Sequence, residues 1–296
     1  MTESSKNEVD DVTGVKTTGH EWDGIRELDN PMPKWWLYTF YASIVWSLAY
    51  WVVMPAWPYL STEGWTYTEG VIGYAQRDVV TREIAAVTQG RAGDMQRIAT
   101  LAPEEVASDA ALMEVALAAG KAAFGDNCAP CHGSGAQGSW GFPNLNDDVW
   151  LWGGTLEDIR YTLAHGIRWE ADDATRQNVM MAFGRDGILS RREVADVAEF
   201  VLALSDQDHD ADAATRGAET FGEQCVTCHG ADGTGIRELG APNLTDAVWL
   251  YGGDRASIVQ SVSNGRSGVM PAWGERLDAG TINALTLYVH SLGGGE

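Results

Sequence analysis

Two short stretches of the chain carry residue types that can do chemistry, and they share the pattern Cys-x-x-Cys-His. They are Cys128-Ala-Pro-Cys131-His132 and Cys225-Val-Thr-Cys228-His229, and together they use all four cysteines of the chain. This spacing is typical of covalent c-type haem attachment, in which both thiols bond to the porphyrin and the histidine binds the iron. Two Cys-x-x-Cys pairs also suit zinc, but a zinc site leaves the histidine after each pair unexplained. The motifs therefore predict two covalently bound haem c groups and a role in electron transfer.

The sequence around the first motif is repeated around the second, in the same order. The matching segments are 120–128 with 217–225, 143–145 with 242–244, 149–154 with 248–253, 179–184 with 269–274, and 200–204 with 288–292. Ordered similarity over this length indicates a duplication. We therefore expect two cytochrome c domains, 108–206 and 207–296, in which the covalent haem supplies part of a small core.

Helical periodicity marks the beginning and the end of each repeat. In the first repeat, residues 110–124 follow the N-cap candidates Ser108 and Asp109, and residues 191–204 follow Ser190. Each domain is therefore predicted to be small and all-α.

Within each repeat, the last helix is expected to cross the first at a glycine. In the first repeat this crossing, at Gly120, would bring Phe124 close to Phe200. In the second repeat the equivalent contact would join Phe221 to Tyr288.

A methionine at matched positions in the two repeats is the candidate for the second axial ligand. Met270 occupies this place in the second repeat and Met180 in the first, where Met181 follows it. A thioether opposite histidine raises the haem potential, which suits an electron carrier. His165 competes for the first haem, but it precedes Gly166 and is better explained as a helix end. The predicted metal ligands are His132, Met180, His229 and Met270, and the sequence leaves open which methionine binds which haem.

Two further pairs of matched residues have a structural and a functional interpretation. The carbonyl of Pro143 or Pro242 can accept a hydrogen bond from the unligated nitrogen of the motif histidine, although a proline is equally common as a loop residue. Trp150 and Trp249 are expected to line the haems, although core packing alone would also explain them.

Residues 35–60 form a run without charged side chains that is long enough to cross a membrane. Trp35 and Trp36 at one end, and Trp57 and Tyr59 at the other, are typical of membrane interfaces. The polar segment 1–34 precedes the run, which disfavours a cleaved signal peptide. Because c-type haem is attached outside the bacterial inner membrane, we expect residues 1–34 in the cytoplasm. Residues 61–107 are then a periplasmic linker, followed by the haem domains.

The chain is strongly acidic, with a formal net charge of −22. From residue 61 onward there are 16 Lys and Arg against 34 Asp and Glu, a net of −18. This charge argues against nucleic acid and anionic membrane surfaces as partners. It indicates either a role in solubility or the docking of a basic partner.

The N-terminal part carries a more specific pattern than the haem motifs. It consists of residues 20–36 (HEWDGIRELDNPMPKWW), Pro55-Ala-Trp-Pro58 and Gly73-Tyr-Ala-Gln-Arg77. These stretches resemble the dihaem subunit III of cbb3-type cytochrome c oxidases, and the resemblance covers essentially the whole chain. It implies one N-terminal transmembrane helix followed by two tandem class I cytochrome c domains. The chain departs from that family at Met181, where such domains commonly have proline.

The resemblance also implies a role in respiration. Such a subunit accepts electrons from a soluble basic cytochrome c or the bc1 complex and passes them, through a monohaem subunit, to the catalytic subunit that reduces oxygen to water. The chain would then be a non-catalytic, electron-transfer subunit of a proton-pumping oxidase. The alternative is a membrane-tethered dihaem carrier for another periplasmic redox enzyme. A dihaem peroxidase would need one haem without a methionine ligand, which Met180 and Met270 argue against.

Overall fold

The computed structural model describes residues 8–296 of the chain. The chain divides into two compact units, Met1–Val87 and Thr88–Glu296. Among the described residues, eleven α-helices account for most of the regular structure, beside two sheets of two strands each. The predicted all-α class is confirmed, and the two short hairpins are the elements that the sequence did not predict.

A β-hairpin precedes the apolar helix in the first unit. Strands β1 (Thr17–Trp22) and β2 (Ile25–Leu28) pair antiparallel. Asp23 and Gly24 connect them, both with positive φ, as a tight two-residue turn of this kind requires. An Asp-Gly pair between strand-like segments is the signal by which the hairpin could have been predicted.

Helix α1 (Lys34–Val53) forms the predicted membrane span, and none of its residues is buried. Its twenty residues extend over about 30 Å, which equals the thickness of the hydrocarbon core of a bilayer. The sequence predicts a span as far as residue 60, but Met54 is already extended because a proline follows it. Strands β3 (Pro58–Ser61) and β4 (Gly64–Tyr67) then form a second hairpin.

Most of the segment predicted as a linker, 61–107, has regular structure. Helix α2 covers Gln76–Thr100 and helix α3 covers Pro103–Ser108. Ile98 of α2 and Val106 of α3 are fully buried in the second unit. The side-chain amide of Asn283 also donates to the Ile98 carbonyl at 2.8 Å. The end of α2 and all of α3 therefore belong to the folded core of the second unit.

Both helix starts that the sequence predicts in the first repeat are confirmed. Asp109 accepts hydrogen bonds from two N–H groups of the helix that follows it, and Ser190 forms a capping box with Glu193. The helices of the second unit after α3 are α4 (Ala110–Asn127), α5 (Ala129–His132), α6 (Leu156–His165), α7 (Arg191–Leu204), α8 (Ala211–Gln224), α9 (Val226–His229), α10 (Arg255–Asn264) and α11 (Ala279–His290).

The first and last helices of the repeats pair across the repeats rather than within them. Helix α4 packs on α11, and α7 packs on α8. The rings of Phe124 and Tyr288 have centroids 5.5 Å apart, and those of Phe200 and Phe221 have centroids 5.0 Å apart. The predicted contacts of Phe124 with Phe200 and of Phe221 with Tyr288 are therefore wrong.

A glycine permits each close crossing, as predicted, but the helix that crosses it comes from the opposite repeat. A Cβ atom on Gly120 would lie 2.2 Å from the carbonyl oxygen of Ala284 in α11. A Cβ atom on Gly217 would lie 2.0 Å from the carbonyl oxygen of Asp196 in α7. Any side chain at either glycine would force the two helices apart.

Two of the three hydrophobic clusters of the second unit contain a motif cysteine or pack against one, and each of these two cores contains residues from both repeats. The first core consists mainly of Phe124, Ile159, Leu163, Ile282, Leu285 and Val289. The second core consists mainly of Val197, Val201, Phe221, Ile258 and Val262. The predicted boundaries 108–206 and 207–296 thus follow the repeats of the sequence, whereas each folded core takes its last helix from the opposite repeat.

Candidate haem sites

Each Cys-x-x-Cys-His motif forms one helical turn directly after the first helix of its repeat. In the first motif, Cys128 is both the C-cap of α4 and the N-cap of α5, which ends at His132. Gly133 follows with a φ of 83°, and Gly230 follows the second motif with a φ of 76°. These left-handed glycines end the turns and lead the chain into the loop that contacts the histidine.

Both motif histidines direct Nδ1 at a backbone carbonyl. His132 Nδ1 lies 3.0 Å from the Pro143 oxygen, and His229 Nδ1 lies 3.1 Å from the Pro242 oxygen. Because a carbonyl only accepts, Nδ1 carries the proton and Nε2 keeps a lone pair for a metal. Burial lowers the pKa of both imidazoles, against a smaller raising effect of the carbonyl, which favours the neutral form. The predicted hydrogen bonds between the motif histidines and the two proline carbonyls are confirmed.

All four cysteines are free thiols in the structure. Burial, reinforced by the second thiol of each motif, raises the pKa of Cys128 and of Cys225 to about 11. The two pairs belong to different cores, and in residues 8–296 no three Cys, His, Asp or Glu side chains converge on one metal position. This separation argues against a zinc site shared by the two pairs.

The two candidate methionines are exchanged between the repeats. Met270, from the second repeat, packs on the first core, which contains Cys128. Met180, from the first repeat, packs on the second core together with Cys225. Each core thus combines the first cysteine of one motif with the methionine of the opposite repeat. Met181 has half of its surface exposed, 51%, and is not part of either core.

Backbone hydrogen bonds fix each methionine to the core on which it packs. Met270 exchanges two with Ile167, which follows α6, at 2.9 and 3.0 Å. Met180 exchanges two with Arg266, which follows α10, at 3.0 and 3.1 Å. The methionine segments are therefore held by the ends of the helices that line the same core.

The exchange requires the chain to pass between the cores twice. It leaves the first core after Ile167 and enters the second core at Met180, and it returns between Arg266 and Met270. The first connection is much longer than the second, 168–179 against 267–269. The two otherwise matched repeats therefore differ in the length of this connection.

The remaining histidines have structural partners. His165 is the last residue of α6, Gly166 after it has a φ of 68°, and its Nδ1 lies 3.0 Å from Asp172 Oδ2. The predicted helix-end role of His165 is therefore confirmed. The partners of the other three are Trp22 for His20, the Gln207 carbonyl for His209, and the Glu296 carbonyl for His290.

Several aromatic side chains of matched positions pack on the two cores or lie under an arginine. Trp150 packs on the first core and Trp249 on the second, as matched residues should. The guanidinium of Arg266 lies over the ring of Tyr251 at 4.1 Å, and that of Arg176 lies over Trp152 at 5.4 Å. The sequence did not single out these arginines, although Trp152 and Tyr251 occupy matched positions.

Comparison with known families yields three matches along the chain. The N-terminal domain of cytochrome oxidase-cbb3, FixP, matches residues 14–61. Cytochrome c matches residues 117–205, and the cbb3-type subunit III of cytochrome C oxidase matches residues 212–289. The matches thus cover the hairpin with the apolar helix, and both repeats.

Several curated proteins are similar over the full length. The cbb3-type cytochrome c oxidase subunit FixP of Azorhizobium caulinodans is 53% identical over 295 residues, covering 99% of this chain and 98% of that protein. Subunit CcoP of Azospirillum brasilense is 50% identical over 300 residues, covering 99% and 100%. Subunit FixP of Bradyrhizobium diazoefficiens is 50% identical over 300 residues, and the alignment covers 100% of both chains.

Proposed function

The chain belongs to the subunit III family of cbb3-type cytochrome c oxidases, and we propose that it carries two haem c groups that relay electrons into the oxidase core. The observation that supports this most strongly is the composition of the two cores. Each contains the first cysteine of one Cys-x-x-Cys-His motif together with one methionine. It is an electron-transfer subunit, and the oxidase complex is its partner.

Each proposed site combines a motif from one repeat with a methionine from the other. The first consists of Cys128, Cys131, His132 and Met270, and the second consists of Cys225, Cys228, His229 and Met180. The donor set fits haem c, since the thiols are free and each imidazole presents Nε2. Bound haem supplies an iron that takes up and releases one electron.

The residues of the chain determine what such a haem can do. The two cysteines of each motif anchor it covalently, and the Pro143 and Pro242 carbonyls hold the imidazoles in one orientation. A methionine opposite the histidine raises the potential and leaves no position for oxygen or peroxide. Electron transfer without substrate chemistry is the function that this ligand set supports.

The ligand assignment is tested in a variant that attaches a single haem. With Cys128 and Cys131 replaced by serine, only the second haem remains. Met180→Leu should then abolish the absorption band of sulfur-ligated ferric haem, whereas Met270→Leu and Met181→Leu should leave it intact. Loss of the band in the Met270 variant would instead assign each methionine to the motif of its own repeat.

We further propose that α1 spans the bacterial inner membrane once, with residues 1–34 in the cytoplasm and the haem sites in the periplasm. The support is the length and exposure of the helix together with the need for haem attachment outside the cytoplasm. An alkaline phosphatase fusion after Leu60 should be active and one before Lys34 inactive. The reverse pattern would contradict both the orientation and c-type haem attachment.

The electron donor that we propose is a soluble basic cytochrome c or the bc1 complex. The net charge of −18 after residue 60 attracts a basic protein and speeds its encounter. Such steering is screened beyond about 8 Å at physiological salt. The bimolecular rate of reduction by a basic cytochrome c should therefore fall as salt rises, and transfer between the two haems should not. A rate independent of salt would favour delivery by the membrane-bound complex.

A further inference from the structure

Arg168 lies at the start of the first connection and contacts both connections between the cores. Its Nε donates a hydrogen bond to the Gly268 carbonyl at 2.5 Å, and its Nη1 donates one to the Asn178 carbonyl at 2.6 Å. Gly268 precedes Met270 by two residues, and Asn178 precedes Met180 by two residues. One guanidinium therefore binds matched backbone positions in front of both candidate iron ligands.

The backbone at Arg168 is fixed independently of its side chain. Its N–H donates to the Arg176 carbonyl at 2.9 Å, and the preceding residue, Ile167, is hydrogen-bonded to Met270. The φ angle of Arg168 is 51°, a left-handed conformation that residues other than glycine adopt rarely. Such a conformation costs energy and persists where the surrounding structure imposes it, which makes the residue a candidate for a functional role.

The charge of Arg168 has no carboxylate partner among the ion pairs recorded for residues 8–296. The side chain is half-buried, and burial lowers its pKa. In a chain with 42 acidic residues, a half-buried arginine without an acidic partner is unusual. Its recorded hydrogen-bond acceptors are the two carbonyls, and a planar guanidinium holds two acceptors at a fixed separation.

We propose that Arg168 is a positioning residue shared by both haem sites, which clamps the two methionine segments so that Met180 and Met270 reach their irons. This inference rests on the proposed function, in which these methionines are the axial ligands. A weaker iron–sulfur bond lowers the haem potential. Because the clamp holds both segments, its loss affects both haems together.

The test is Arg168→Gln in the full-length, haem-loaded protein. Glutamine keeps the side-chain bulk near the backbone and the same conformational strain, but it cannot bridge the two carbonyls as the guanidinium does. Combined with Met270→Leu, it reports on Met180, and combined with Met180→Leu, it reports on Met270. We expect the sulfur-ligation band to weaken in both combinations, and both potentials to fall in the single variant, with haem content and helical circular dichroism unchanged.

Two further variants sharpen the test. Arg185→Gln is the matched control, because Arg185 follows Met180 by five residues, is exposed and pairs with Asp186; we expect it to change neither haem. Arg168→Lys keeps the charge, but its single ammonium lacks the fixed spacing of the two guanidinium nitrogens, so both bands should weaken again.

Three outcomes would overturn the proposal. They are a loss at one haem only, a loss at neither haem, and wild-type behaviour of Arg168→Lys, which would show that the fixed spacing of the two guanidinium nitrogens is not needed. If Met180→Leu or Met270→Leu by itself left the bands at full strength, the ligand assignment would be wrong, and the proposal would fail with it.

Discussion

Replacing Phe200 by alanine tests whether the last helix of the first repeat packs in the first or in the second haem site. Phe200 belongs to the same repeat as Cys128, but its ring packs against Phe221 in the second core. The structure therefore predicts that its loss weakens the site at Cys225. Pairing within repeats would predict damage at Cys128 instead.

The size of the effect follows from burial. Replacing a fully buried phenylalanine by alanine costs about 3–5 kcal/mol. Phe200 is only partly buried, so we expect a lower cost, about 2–3 kcal/mol. In guanidinium chloride the free energy of unfolding falls by roughly 2–6 kcal/mol per molar for small domains. The unfolding midpoint of the second site should thus fall by about 0.3–1.5 M.

The assay is a guanidinium titration followed through the sulfur-ligation band of one haem at a time. Met270→Leu leaves the band of the second haem for this purpose, and Met180→Leu leaves that of the first. Tyr288→Ala, whose ring packs on Phe124, is the reciprocal variant and should lower the midpoint of the first site. A fall confined to the first site in Phe200→Ala would refute the exchanged arrangement.

Two further predictions concern the second core. Gly217→Ala should destabilise it by about 2 kcal/mol, because the new Cβ would lie 2.0 Å from the Asp196 carbonyl. A Cβ atom on Gly222 would have no neighbour within 4 Å, so Gly222→Ala should instead stabilise the second core by up to roughly 1 kcal/mol. Equal thermal midpoints in the two variants would contradict the close crossing at Gly217. Asp196 accepts two hydrogen bonds from Arg216, which hold the pKa of its carboxyl below the usual value. That stabilisation is complete above the unfolded pKa of about 3.9 and is lost as the pH falls through the lower folded value. Because Arg216 is half exposed, Asp196→Asn should lower the free energy of unfolding by only about 1–2 kcal/mol at neutral pH. The loss should become smaller as the pH falls. If urea titrations gave the same loss at every pH, the charged pair would not be its source.

The features that the sequence predicts correctly are those encoded by local chemistry. The helix starts at Asp109 and Ser190 follow from the capping ability of their side chains. The histidine-to-proline hydrogen bonds join residues that are only 11 and 13 positions apart in the two repeats. In each case the residues that determine the feature lie close together along the chain.

The pairing of the helices could not be predicted, because duplication made the two candidate partners equivalent. Gly120 and Gly217 offer the same space for a crossing helix, and Phe200 and Tyr288 offer similar rings to fill it. Helical periodicity identifies the face that is buried but not the helix that buries it. The hairpin at Asp23 escaped prediction because its short strands are mostly polar and exposed.

The exchange has a consequence for electron relay that two independent domains would not share. Each core needs the methionine segment and the last helix of the opposite repeat, so neither repeat can complete a haem site alone. Contacts between the cores reinforce this dependence: Gly141 donates a hydrogen bond to the Leu250 carbonyl, and Gly240 packs against the ring of Trp152. Two haems bound at the proposed sites would keep a constant separation, because the two cores share segments of both repeats. The rate of electron transfer between haems falls steeply with distance, so a constant separation would keep the rate of the internal step uniform. Charge and salt would then change only the rate at which the donor encounters the subunit.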